Sequence, residues 1–183
     1  MKKVFIIHGW EGSPESNWFP WMKDELKKRD ILVEVLTMPN SASPKVEEWV
    51  SYMQEKIMPN EDVFLMGHSL GGIAILKYLE SLNNGEKIGG IVLVAGFSNS
   101  LGIGELENFF TKELEYAKIK NVVNKSVFIN SDNDPFVPLE EGRFMKEKLG
   151  GKLVIMKGAY HINEGNGFFN FPTGLKELLK IME

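Results

Sequence analysis

A chain of 183 residues that is 43% hydrophobic is long enough for one domain with a substantial core, residues 1–183, and too short for two comfortable ones. Its formal charge of -4 is spread over mixed lysine and glutamate faces with no basic stripe, which leaves no footprint for nucleic acid. The absence of cysteine excludes disulfide frameworks, thiolate catalysis and thiolate-ligated metals.

The first apolar run, KVFIIHG at 3–9, is shorter than the about 7 to 15 apolar residues of a secretory signal core and lacks a cleavage site, so it reads as a strand. Ser13 followed by Pro14 reads as an N-cap and first helical position, opening a helix that buries Trp18, Met22 and Leu26. A second strand is expected at 31–37 (ILVEVLT), and a helix follows on Val46, Trp49, Val50, Met53 and Ile57. The third strand, DVFLMG at 62–67, runs into the sequence GHSLGG and an apolar helix from Leu70. A fourth, GGIVLVA at 89–95, precedes the longest connection, residues 97–125, whose helical stripe of Leu106, Phe109, Phe110, Leu114 and Ala117 is expected to pack on the sheet rather than overhang Ser69. SVFIN at 126–130 and KLVIMK at 152–157 supply the last two strands, and Leu175, Leu178, Leu179 and Met182 the last helix. Six strands of continuous apolar character alternating with helices predict an α/β protein with a parallel sheet covered on both faces and right-handed crossovers. No uncharged run approaches the roughly 18 residues of a membrane span, so a soluble, cytoplasmic protein without a membrane partner is expected.

GHSLG matches G-x-S-x-G, a pentapeptide short enough to arise by chance. Its context is more specific, because a buried strand ends at Gly67 and a long helix begins at Leu70, the strand-turn-helix that a nucleophile elbow requires. Small residues at 67 and 71 allow strand and helix to pack closely, which pushes Ser69 out at the C-terminal edge of the sheet. A serine hydroxyl needs a base and a group to orient that base. Of three histidines, His8 closes the first strand and reads as structural, His68 is expected to point away from the Ser69 hydroxyl, and His161 lies in a glycine-bearing loop past the last strand, at the edge where Ser69 emerges. Between serine and histidine, the turn NSDNDPFVP at 130–138 offers Asp132 and Asp134 as the acid. The same carboxylates read alternatively as turn groups that satisfy backbone amides. Backbone amides of Leu70 and Trp10 are the candidate oxyanion donors. No third ligand has recognisable spacing to the two aspartates, so no metal is expected, and neither G-x-G-x-x-G nor G-x-x-x-x-G-K-[ST] occurs to suggest a nucleotide cofactor.

Four blocks in order, HGWEGSPESNWFPWMK, GHSLGG, SDNDPFVP and YHINEGNGF, resemble the small α/β-hydrolases related to retinoblastoma-binding protein 9, and the resemblance covers most of the chain. It implies a minimal α/β-hydrolase fold: a three-layer α/β/α sandwich on a six-stranded parallel sheet of order 2-1-3-4-5-6, without the first two strands or the cap domain of larger members. It also implies a Ser-His-Asp triad in which Ser69 falls on the nucleophile, His161 on the histidine of the HIN block and Asp134 on the aspartate of the DPxVP segment, with Asp132 a neighbour. The partner motif Leu-x-Cys-x-Glu cannot occur in a chain without cysteine, so a retinoblastoma-type interaction does not transfer. The expected function is hydrolysis of a small-molecule carboxylic ester, or of an amide or thioester, through an acyl-enzyme and without a cofactor. The alternative is a hydrolase-like fold that acts mainly as a binding module.

Overall fold

Each apolar run forms a strand in the computed structural model, which describes all 183 residues. The strands are β1 (Lys3–Ile7), β2 (Leu32–Leu36), β3 (Val63–His68), β4 (Gly90–Val94), β5 (Ser126–Ser131) and β6 (Lys152–Met156). They pair in parallel, in the order β2-β1-β3-β4-β5-β6. Side chains alternate between two cores: Phe5, Ile7, Leu65, Ile91, Leu93 and Phe128 face one, and Val4, Ile6, Phe64, Met66, Val92 and Ile129 face the other. α2 (Val46–Lys56), α3 (Leu70–Ser81), α4 (Tyr116–Val122) and α5 (Leu139–Leu149) cover the first face, while α1 (Phe19–Lys27) and α6 (Pro172–Met182) cover the second. The result is a three-layer α/β/α sandwich without a cap domain. No helix is long and apolar enough to cross a membrane.

Two helix boundaries differ from the sequence expectation. α1 begins at Phe19, with Pro20 in its first turn, and Ser13–Pro14 does not open it. Asn17 lies at φ 55°, which no continuous helix through that position tolerates, and Ser13 N–H instead donates to Ser16 Oγ at 3.0 Å in a local turn. Trp18, Met22 and Leu26 are nevertheless buried in the core beside α1. The stripe within 97–125 is broken: Leu106, Phe109 and Phe110 lie in a 3₁₀ turn (Gly104–Phe110), Leu114 is buried in the segment between that turn and α4, and Ala117 is exposed, because α4 turns Ile119 and Val122 inward instead. The break comes where the Tyr116 N–H turns back to the Leu114 carbonyl at 3.0 Å and Glu115 N–H is taken by the side chain of Glu80.

The strand order places the site. From β1 the chain moves to β2 on one side, then returns to set β3 on the other, so the loops leaving β1 and β3 diverge and open a crevice at the C-terminal edge of the sheet. Gly9, Trp10, Glu11 and Gly12 from the first loop, with His68 and Ser69 from the second, border one cavity there, of ≈ 400 Å³.

Candidate active site

Ser69 sits at the junction of β3 and α3 with φ 52° and ψ -121°, a backbone conformation that L-residues adopt only when their surroundings impose it. The imposition comes from both sides. Ser69 N–H donates to the Val94 carbonyl of the neighbouring strand at 2.9 Å, and Gly72 N–H donates back to the Ser69 carbonyl at 2.8 Å. The close crossing of strand and helix leaves no room for side chains: a Cβ on Gly67 would come within 2.7 Å of the Gly71 carbonyl oxygen, and one on Gly71 would overlap the Ile7 carbonyl of β1. A serine placed there is held out toward the cavity at the N-terminus of α3, where the first backbone N–H groups have no partner within the helix.

His161 borders the same cavity from the opposite loop. Its Nδ1 donates to Asp134 Oδ2 at 2.8 Å, and the pair is secluded, with side chains 11% and 1% exposed. Asp134 is itself oriented: its Oδ1 accepts from the backbone N–H groups of Phe136 at 2.9 Å and Val137 at 3.1 Å, which turns Oδ2 toward the imidazole. With Nδ1 committed to the carboxylate, Nε2 is the nitrogen left to exchange a proton. Asp132 faces elsewhere, accepting from Gly158 N–H at 2.8 Å.

The loop that carries His161 is fixed almost atom by atom. Side chains at the end of β5 take three successive amides: Asp132 takes Gly158, Ser131 Oγ takes Ala159 at 3.0 Å, and Asn133 Oδ1 takes Tyr160 at 2.8 Å. Asn166 Oδ1 takes the His161 amide at 3.2 Å. Two buried rings then hold the next carbonyls, with His68 Nε2 on His161 O at 2.9 Å and Trp18 Nε1 on Ile162 O at 3.2 Å. At the cavity rim Asn17 and Glu164 exchange bonds, each backbone N–H donating to the other's side chain at 3.0 Å.

The other two histidines are buried and neutral. His8 Nδ1 donates to the Gly9 carbonyl at 2.8 Å while its Nε2 accepts from Met38 N–H at 3.1 Å, and burial pulls its pKa below the ordinary value. Its place is structural, as its position at the end of β1 suggested. His68 is pulled down to about 3, first by burial and then by the adjacent His161. It borders the cavity and its ring centroid lies 5.0 Å from that of His161, so it takes part in the site's architecture in a way its sequence position did not indicate. Trp10 also borders the cavity, with its side chain tied to Ala42 O and its backbone N–H making no bond within the chain. Leu70 lies beneath, its side chain buried at the first position of α3. No group of three or more carboxylate or imidazole side chains is arranged to hold a metal ion.

A family model described as serine hydrolase matches residues 4–180. The chain belongs to the serine hydrolase family. This serine hydrolase is 33% identical to YdeN of Bacillus subtilis over 175 residues, covering 93% of this chain and 91% of that protein. The crystal structure of the B. subtilis ydeN product superposes with a TM-score of 0.93 over 99% of this chain and 98% of the other. Serine hydrolase RBBP9 of Rattus norvegicus is 23% identical over 186 residues, covering 99% of this chain and 94% of the rat protein. Est1E of Butyrivibrio proteoclasticus shares the fold at 13% identity and a TM-score of 0.72, over 99% of this chain and 88% of its own.

Proposed function

We propose that this serine hydrolase cleaves a small carboxylic ester, with an amide or thioester as the chemically adjacent alternatives, through an acyl-enzyme formed on Ser69. The observation that carries the reading is the secluded 2.8 Å bond between His161 and Asp134 in a loop that shares the cavity of Ser69. Ser69 Oγ attacks the carbonyl carbon while its proton passes to His161 Nε2, and Asp134 steadies the imidazolium. The oxyanion is met by the Leu70 and Trp10 backbone N–H groups. Collapse breaks the bond to the alcohol oxygen, which leaves with the proton from His161. Water then repeats the attack on the acyl carbon, giving up its proton to His161, and the carboxylic acid departs as Ser69 recovers its hydrogen.

The chemistry of the cavity lining bears on the substrate. Phe97, Leu101, Ile103, Leu106, Phe136 and Val137, from the segments after β4 and β5, offer apolar surface suited to the acyl chain, and Glu11, Ser16, Asn17, Asn163 and Glu164, from the segments after β1 and β6, offer polar groups suited to the alcohol. The lining carries no lysine or arginine, which disfavours substrates with an anionic acyl group. A mainly binding role is disfavoured by the seclusion of the His161–Asp134 bond, which a recognition surface does not need. The test is hydrolysis of p-nitrophenyl acetate and butyrate by the wild-type chain and by Ser69→Ala, with circular dichroism to verify the fold. The wild-type chain should turn over and the variant should fall to background, and an equal rate in the folded variant would refute the reading.

A further inference from the structure

We infer that His68 is a positioning residue for the base: its Nε2–H, bonded to the main-chain carbonyl of His161, sets where the His161 ring stands relative to Ser69. The inference rests on the triad reading above and names the bond that connects its two halves.

The bond spans the two segments whose separation matters most. His68 is covalently joined to Ser69, and the 2.9 Å contact to His161 O joins it to the base-bearing loop 93 residues away. The loop needs such a restraint at this point. Tyr160 at φ 49° and Ile162 at φ 52° place His161 between two left-handed residues, neither of them glycine, and such conformations persist only when several contacts impose them. The clasp from β5 ends at the Tyr160 amide, and Trp18 holds only the Ile162 carbonyl, so the carbonyl of His161 depends on His68. The ring has no freedom of its own, since Trp18 and Phe19 pack edge-on to it with centroids 6.2 and 6.3 Å away.

Neutrality is part of the design. A seclusion that keeps His68 uncharged gives a hydrogen-bond donor beside His161 without adding a positive charge. His161 itself must become an imidazolium during each turnover, and a cation 5.0 Å away, centroid to centroid, would oppose it.

The geometry defines a discriminating set of variants. The glutamine amide nitrogen is separated from Cβ by the same number of bonds as histidine Nε2, whereas the asparagine nitrogen reproduces the position of Nδ1 and cannot reach the carbonyl. His68→Phe keeps the ring volume and removes the donor. The expected result is a fall in kcat on the order of tenfold or more for His68→Phe and His68→Asn, with KM nearly unchanged, and recovery toward the wild-type value in His68→Gln. A second readout does not depend on turnover: in proteins labelled with ¹⁵N-histidine, the His161 Nδ1–H proton should be observed in the wild-type chain and His68→Gln, and should broaden by solvent exchange in the other two. If His68→Phe folds poorly, the Asn and Gln pair alone decides. Equal kcat and an equally sharp His161 proton in Asn and Gln variants would overturn the role of the bond. Absence of turnover in the wild-type chain would instead strike the ester-hydrolase reading, and the His161 proton would still report whether His68 restrains the loop.

Discussion

At the scale of single residues, the site is organised by which oxygen or nitrogen of each side chain is already spoken for. Asp132 and Asp134 sit two positions apart in one turn, and the residue types alone could not separate them. Orientation does: two backbone amides occupy Oδ1 of Asp134 and leave Oδ2 for His161, while Asp132 serves the Gly158 amide. Asparagine at 134 would keep the shape but offer the imidazole an amide that favours the wrong tautomer. In a serine protease the equivalent change loses about ten-thousandfold in rate, and Asp134→Asn should cripple ester hydrolysis on that scale. Asp132→Asn should cost far less, and steady-state rates of the two variants check the ranking. A second expectation concerns pH. Folded His68 stays unprotonated down to about 3, whereas the unfolded chain takes up that proton around 6.5. Between those values the unfolded state binds more protons, so stability is fully present above the upper value and falls as pH drops through the window, by on the order of a few kcal/mol. His8, also lowered by burial, adds in the same direction. Urea midpoints measured from about pH 7 to about pH 4 should decline in the wild-type chain and decline less in His68→Gln.

At the scale of elements, the elbow was legible in the sequence because its demands are local: an apolar strand, a small residue on each side of the serine and an apolar helix are all within one stretch of chain. The consequence is testable at Gly71, where any Cβ meets the Ile7 carbonyl of a different strand and main-chain atoms must shift to admit it. Gly71→Ala should cost about 1–3 kcal/mol or more, read as a lowered urea midpoint with an unchanged slope, and should depress activity by displacing Ser69. The start of α1 was not legible, because the Ser-Pro pair carries a helix signature and only the left-handed backbone at Asn17 reveals that the helix waits until Phe19. Residues 111–115 interrupt the expected helix for a similar reason, since periodicity records which side chains are buried, Leu114 among them, but not whether the backbone between them stays helical. The clasp of Ser131, Asp132 and Asn133 on the His161 loop left no periodic signal at all; it joins amides that are distant in sequence and becomes visible only once β5 and β6 are neighbours.

At the scale of the whole molecule, the sheet order brings every element of the site to one edge. The loops after β1 and β3 flank the point where the strand order reverses, the loop after β5 supplies Asp134, and the loop after β6 supplies His161. The connection after β4 does two jobs: Leu106 and Phe109 are buried in the core, yet Leu101, Ile103 and Leu106 also border the cavity. A wall whose residues double as core is not free to swing away as a lid. A volume of ≈ 400 Å³ lies toward the small end of ligand sites. Accordingly kcat/KM should be higher for acetyl to hexanoyl esters than for dodecanoyl esters, with no jump in rate above micelle formation, and a p-nitrophenyl ester series measures both. The central claim is that Ser69 is an activated nucleophile, and covalent labelling tests it most directly. A fluorophosphonate probe, followed by peptide mass spectrometry, should modify the native chain once, at Ser69, with labelling lost on unfolding and in Ser69→Ala. Labelling at another residue, or undiminished labelling of the folded Ser69→Ala chain, would contradict the account.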